Sequence, residues 1–220
     1  MIKTLLWDFD GTLFDTYPRI VKQTQSVMND MGYHEIMSKE NYDLMMSLAK
    51  VKLNHMREVI YGKFNLSEEK IKKANDEYYK REELSWPEGI YLYPYVKEVC
   101  SFMVENGGQN ILYTHRQQNA ITAMEKFDLA KYFTEFVTME YAVERGFREK
   151  PYPDTISHIV ERFGLNPDET MMVGDRDIDI LAGTNAKIKT CFYKSYEHNR
   201  EVEATLRVLS LEELLKYLKQ

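Results

Sequence analysis

From Val96 to its C-terminus the chain alternates short apolar runs with amphipathic stretches, and nothing else in it constrains the fold as strongly. "NILYT" (Asn110 to Thr114), "FVTM" (Phe136 to Met139), "TMMVG" (Thr170 to Gly174) and "KTCFY" (Lys189 to Tyr193) read as strands. Between them, Val96, Val99, Cys100 and Met103 mark one helix, which Gly107-Gly108 ends. A second covers about Ala120 to Phe127, a third Pro153 to Phe163 with Gly164 as its stop, and a fourth Ile178 to Ala186. Ser210 and Glu213 form a capping-box pattern ahead of a terminal amphipathic helix. Ile2 to Trp7 adds a buried strand at the start. Such alternation predicts an α/β fold, a parallel sheet with helices on both faces.

The segment between the first strand and this alternation has another texture. In "YPRIVKQTQSVMNDMG", Ile20, Val21, Thr24, Val27, Met28 and Met31 share a helical face, with Pro18 in the first turn and Gly32 as the stop. Ser38 can cap a second helix through Leu48, and a third covers Lys52 to Tyr61. Ser67 can cap a fourth that ends before Trp86-Pro87. With no strand between these helices, residues 17–88 are expected to form a small helical unit inserted into a core of 1–16 and 89–220.

Composition excludes several function classes. The net charge of -6 argues against a sequence-independent grip on nucleic acid or on an anionic membrane. No apolar run approaches membrane-spanning length. The two cysteines, Cys100 and Cys191, lie in apolar runs and read as small buried hydrophobes, too few for a cysteine metal site. The start "MIKTLLW" has neither a charged leader nor a cleavage pattern, so a reducing cytoplasm is the expected compartment. Six methionines of the helical segment (Met28, Met31, Met37, Met45, Met46, Met56) suit an adaptable core.

Parallel sheets bind ligands beyond the carboxyl ends of their strands, at the point where strand order reverses. Candidate chemical groups stand at those ends: Asp8 and Asp10 after the first strand, Thr114 after "NILY", Asp175 after "MMVG". "LLWDFDGTLFDT" (Leu5 to Thr16) carries three acids where a buried strand emerges. Crowded carboxylates repel unless water solvates them or a cation pairs them. Asp8 is suited to in-line attack on phosphorus, forming an acyl phosphate that water can cleave. Asp10, two residues on, can protonate a leaving oxygen and then activate that water. Gly11 permits a sharp turn. Thr12 either contributes a hydroxyl or only favours the turn.

"DFDGTLFDT" (Asp8 to Thr16), "ILYT" ending at Thr114, "KP" (Lys150-Pro151) and "GDRDID" (Gly174 to Asp179), in this order, resemble the haloacid dehalogenase superfamily of phosphatases and phosphoryl-transfer enzymes. The resemblance spans most of the chain. It implies a Rossmann-like three-layer core with an inserted helical cap, of the phosphoglycolate-phosphatase-like architecture. It also implies that Thr114 and Gly11 contact a phosphoryl group and that Lys150 clamps its charge. The acids Asp8, Asp10, Asp175 and Asp179 would share Mg2+, with Asp10 engaged through its backbone carbonyl and Asp179 directly or through water. The implied activity is Mg2+-dependent hydrolysis of a small soluble phosphate monoester through an aspartyl-phosphate on Asp8. The alternatives are a sugar-phosphate phosphomutase and a catalytically silent binding module.

Four further residues are candidate substrate contacts: His115, Arg116, Lys50 and Arg57. Each has a plain alternative, His115 as packing or a helix cap and the cap cations as a solvated face. Tyr95 and Lys187 stand where relatives of this architecture often carry glycine.

Overall fold

The computed structural model describes residues 1–196 and 202–220. The chain forms two compact units, one of Met1–Asp15 with Tyr91–Gln220, the other of Thr16–Ile90.

The first unit is built on a six-stranded sheet. Its strands are β1 (Thr4–Trp7), β4 (Gln109–Tyr113), β5 (Phe133–Val137), β6 (Thr170–Gly174), β7 (Lys189–Tyr193) and β8 (Leu206–Val208); β2 (Phe14–Asp15) and β3 (Tyr91–Leu92) form a separate antiparallel pair. The sheet order is β5-β4-β1-β6-β7-β8, and every pairing in it is parallel. The first strand is therefore central. The chain builds outward from it on one side through β4 and β5 and on the other through β6, β7 and β8, so the order reverses at β1.

Both faces of β1 are buried, as its four consecutive buried residues require. Leu6, Ile111, Tyr113, Val137 and Met172 project to one face and pack against Ile156 and Ile159 of a helix at Asp154–Arg162 and Ala182 of a helix at Asp177–Asn185. On the other face the Trp7 indole N–H donates to Asn110 Oδ1 at 3.0 Å. The Asn110 amide donates in turn to Cys100 O at 3.0 Å, on a helix at Val96–Glu105. A buried amide thus ties strand to helix with its polar atoms satisfied. Cys100 and Cys191 are buried and free, and burial pushes both thiols up.

The second unit contains four α-helices, Tyr17–Asp30, Lys39–Ala49, Leu53–Lys63 and Glu68–Ser85. Ser38 Oγ accepts from Asn41 N–H and Ser67 Oγ from Lys70 N–H, the capping that the sequence predicts. Arg19 is buried, with Nε donating to Glu88 O at 2.7 Å and its guanidinium over the Trp86 ring.

Two local expectations need correcting. The strand expected at Phe136 to Met139 lies at Phe133–Val137, and Met139 instead opens a helix to Glu144. This is an edge strand whose Thr134 and Glu135 dilute its apolar pattern; pairing to the buried β4, Tyr113 opposite Val137, sets its position. The pair β2 and β3 and the three-residue β8 are too short to leave a periodicity. The terminal capping box is half formed as expected: Ser210 Oγ accepts from Glu213 N–H, while Glu213 Oε2 accepts from Leu209 N–H.

Candidate active site

The register of the sheet places the acids. Trp7 aligns with Leu112 on one side and Val173 on the other, so Asp8, Thr114 and Asp175 all emerge at the same edge within one residue of level. The ladder extends into the site: Asp8 N–H donates to Val173 O and Thr114 N–H to Val137 O, each at 3.0 Å. Beyond Asp8 the chain reverses at Gly11, whose φ of 83° lies in the left-handed region that glycine alone enters without strain. Gly174 serves another need, since a Cβ there would lie 2.3 Å from Cβ of Asp179. Only glycine at the end of β6 lets the Asp179 carboxylate fold back into the cluster.

Asp8, Asp175 and Asp179 are buried, and one carboxylate oxygen from each lies within 4.8 Å of the other two. Lys150, itself buried, bridges two of them. Its Nζ donates to Asp8 Oδ1 at 2.7 Å, Asp179 Oδ1 at 2.8 Å and Tyr113 O at 2.9 Å, so all three of its protons are used. Both oxygens of Asp179 are engaged, for Oδ2 accepts from Arg176 N–H at 3.1 Å. Asp8 Oδ2 is different: buried, it accepts no hydrogen bond from the described residues, and the Arg176 guanidinium stands 4.0 Å away.

The electrostatics follow from this geometry. Burial and the charge of Asp179 push the Asp8 carboxyl up to about 6, against the pull of Lys150 and Arg176. Burial also opposes the charge on Asp179, but Lys150 and Arg176 outweigh it and hold that carboxyl below its ordinary range. Burial works against the Lys150 ammonium, yet Asp179 and Asp8 win and raise it.

Asp10 lies outside the buried cluster. Arg116 holds its carboxylate with Nη2 at 2.7 Å from Oδ1 and Nε at 3.2 Å from Oδ2. Thr114 Oγ1 accepts from Arg116 N–H at 3.0 Å, which leaves the hydroxyl proton to point elsewhere. The Thr12 hydroxyl donates to Asp175 Oδ1 at 3.4 Å. Arg176 was not among the expected site residues, although its place between the two acids of "GDRD" was the available signal. Lys50 and Arg57 belong to the helical unit. Lys50 is buried there, and Arg57 lies 4.3 Å over the Tyr78 ring and donates to Tyr79 Oη.

His115 Nε2 accepts from Lys150 N–H at 3.0 Å. Burial, with Lys150 and Arg176 nearby, depresses this imidazole to about 3. Below about pH 6.5 the unfolded chain takes up a proton that the folded chain refuses. The stability from a neutral His115 is thus complete above that pH and is lost as pH falls toward 3, at about 1.4 kcal/mol per pH unit. Urea titrations at pH 7 and pH 5 should show a smaller acid loss for His115→Gln than for the native protein. Equal losses would place the acid sensitivity elsewhere.

The chain is also similar to known proteins over most of its length. Residues 5–193 match the haloacid dehalogenase-like hydrolase family. The chain belongs to that family. This hydrolase is 26% identical over 210 residues to a phosphoglycolate phosphatase from Vibrio parahaemolyticus, covering 93% of this chain and 89% of the relative. It is 22% identical over 191 residues to a pyrophosphatase from Oceanobacillus iheyensis, covering 86% and 82%. A haloacid-dehalogenase-superfamily hydrolase of subfamily IA from Geobacter sulfurreducens shares its fold, with a TM-score of 0.76 at 23% identity over 99% of this chain and 96% of that one. Among the described residues, no helix is long and apolar enough to cross a membrane.

Proposed function

We propose that this hydrolase is a Mg2+-dependent phosphatase that cleaves a small phosphate monoester through an aspartyl-phosphate on Asp8. One observation carries the reading. Asp8 is buried at the end of the central strand with Oδ1 fixed by Lys150 and Oδ2 without a hydrogen-bond donor among the described residues. A buried carboxylate oxygen with no donor is costly, and a cation or an electrophile would relieve it.

The donor set fits a hard divalent ion. Asp8, Asp175 and the Asp10 backbone would supply its oxygens, while Asp179, whose oxygens already serve Lys150 and Arg176, would act from behind. When bound, the ion would neutralise charge on the phosphoryl oxygens and on the acids facing them.

The chain's own residues account for the remaining steps. An Asp8 oxygen attacks phosphorus as the bond to the ester oxygen breaks. The Thr114 hydroxyl donates to a phosphoryl oxygen, and Lys150 balances the charge of the attacking carboxylate. Asp10 gives a proton to the departing oxygen, then takes one from the water that cleaves the acyl phosphate. Both roles require Asp10 to turn away from Arg116, whose guanidinium is then offered to an anionic part of the substrate. The helical insertion is assigned the role of cap, with Lys50 and Arg57 as its candidate contacts. Buried free thiols suit a reducing compartment, and we place the enzyme in the cytoplasm.

The test is release of inorganic phosphate from a phosphometabolite panel containing phosphoglycolate and pyrophosphate, with and without Mg2+. Turnover of at least one ester that chelation abolishes is expected; a bisphosphate product would favour the mutase, and inactivity on every compound would defeat the reading. Asp175→Asn removes one hard, charged ligand, so calorimetric titration should show Mg2+ affinity reduced by about 10- to 100-fold. Unchanged affinity would put the ion elsewhere.

A further inference from the structure

Lys150 can reach Asp8, Asp179 and Tyr113 together only if its backbone is held in place, yet it lies in a loop outside any strand or helix. The hold comes from "YTH" at the end of β4. Tyr113 O accepts from the ammonium at 2.9 Å, while His115 Nε2 accepts from the Lys150 backbone N–H at 3.0 Å. One short stretch thus grips Lys150 at both ends of its side chain. The imidazole ring stands edge-on to Tyr113, with centroids 6.4 Å apart and planes at 85°.

The direction of the backbone bond fixes the chemistry of the ring. An amide N–H is always the donor, so Nε2 presents its lone pair and the proton of the neutral ring sits on Nδ1. Nε2 is then unable to deliver a proton to substrate or metal while it holds the loop.

We propose that His115 is a positioning residue for Lys150, a neutral Nδ1-protonated acceptor that fixes the lysine loop so that Nζ spans Asp8 and Asp179. It is neither the acid–base group nor the substrate contact that a histidine beside a phosphoryl site suggests. The proposal rests on the phosphatase reading only in that Lys150 serves phosphoryl transfer.

Three variants separate the hydrogen bond from mere packing. Gln can place a carbonyl oxygen about where Nε2 lies, Asn is too short, and Leu fills the space without an acceptor. His115→Leu and His115→Asn should lower kcat by about 10- to 100-fold with KM little changed, because a small displacement of the clamp acts on the chemical step. His115→Gln should retain most of kcat. In the native protein, 15N NMR at pH 7 should show one of the five histidines with Nδ1 protonated and Nε2 not, assigned by its absence from His115→Gln. Equal kcat in all three variants, equal loss in all three, or a protonated Nε2 would overturn the proposal. If the Leu variant does not fold, the Gln and Asn pair decides. If the native protein cleaves no phosphate ester, the phosphatase reading fails and the tautomer alone judges His115.

Discussion

Asp8→Asn is expected to abolish turnover, by roughly 10⁴-fold or more, the scale seen when a covalent nucleophile is removed. The amide is nearly isosteric and can still accept from Lys150 Nζ, now 2.7 Å from Asp8 Oδ1, so the fold should persist. The pH dependence sharpens the expectation. The Asp8 carboxyl is raised to about 6 in the metal-free protein, above its unfolded value near 4. Its favourable contribution is therefore present at low pH and lost as pH rises through 6. At pH 8 without metal, the neutral amide should melt no lower than the native carboxylate. A folded Asn variant with native turnover would remove Asp8 as nucleophile, and one with a much lower melting point at pH 8 would contradict the electrostatics.

Lys150→Met should have the largest effect on stability. The lysine is inaccessible to solvent, as are the two carboxylates it bridges. Removing it leaves Asp8 and Asp179 facing each other in a buried site, a loss of about 3–5 kcal/mol for a broken buried ion pair. For a chain of this size that corresponds to a fall of roughly 6–20 °C in Tm. Arg176, at 4.0 Å from both acids, is too distant to replace three short hydrogen bonds. Scanning calorimetry in chelator at pH 8 tests this. A Tm within a degree or two of the native value would show that the pair is solvated rather than buried, and added Mg2+ should recover part of the loss.

The fold is legible in this sequence because the strands that carry it are buried on both faces. "TLLW", "NILY" and "TMMVG" are buried and mostly apolar, and each is followed directly by the residue that reaches the site: Asp8, Thr114 and Asp175. The edge strands were harder to read. The half-exposed β5 mixes Thr134 and Glu135 into its pattern, so its position follows from pairing with β4 and not from its own residues. Tyr95 and Lys187 are a further case. Their identity points to no special conformation, yet both adopt positive φ, 67° and 60°. Each holds a left-handed conformation that glycine would enter with less strain.

Asp8 and Asp175 could be grouped from sequence because each follows a strand at one sheet edge, whereas Asp179 joined them only through the family resemblance. The ion pairs could not. Nothing in the spacing of Asp10 and Arg116, 106 residues apart, shows that a guanidinium grips that carboxylate. Nor does "THR" reveal that His115 is spent on the Lys150 backbone, since that bond depends on the path of a loop with no periodic signal.

The central claim is that phosphorus is transferred to Asp8, and rapid-quench labelling of the Asp10→Ala variant tests it most directly. Without its general base, the second step should slow by about 10²–10⁴-fold, so the acyl phosphate should accumulate. An aryl phosphate needs little protonation to depart, and one equivalent of aryl alcohol per enzyme should appear as a burst. Acid-quenched protein should then carry close to one phosphoryl group, and peptide mapping should place it within Leu5 to Thr16, on Asp8. Steady release at the native rate with no labelled protein, or a label on any other residue, would contradict the account.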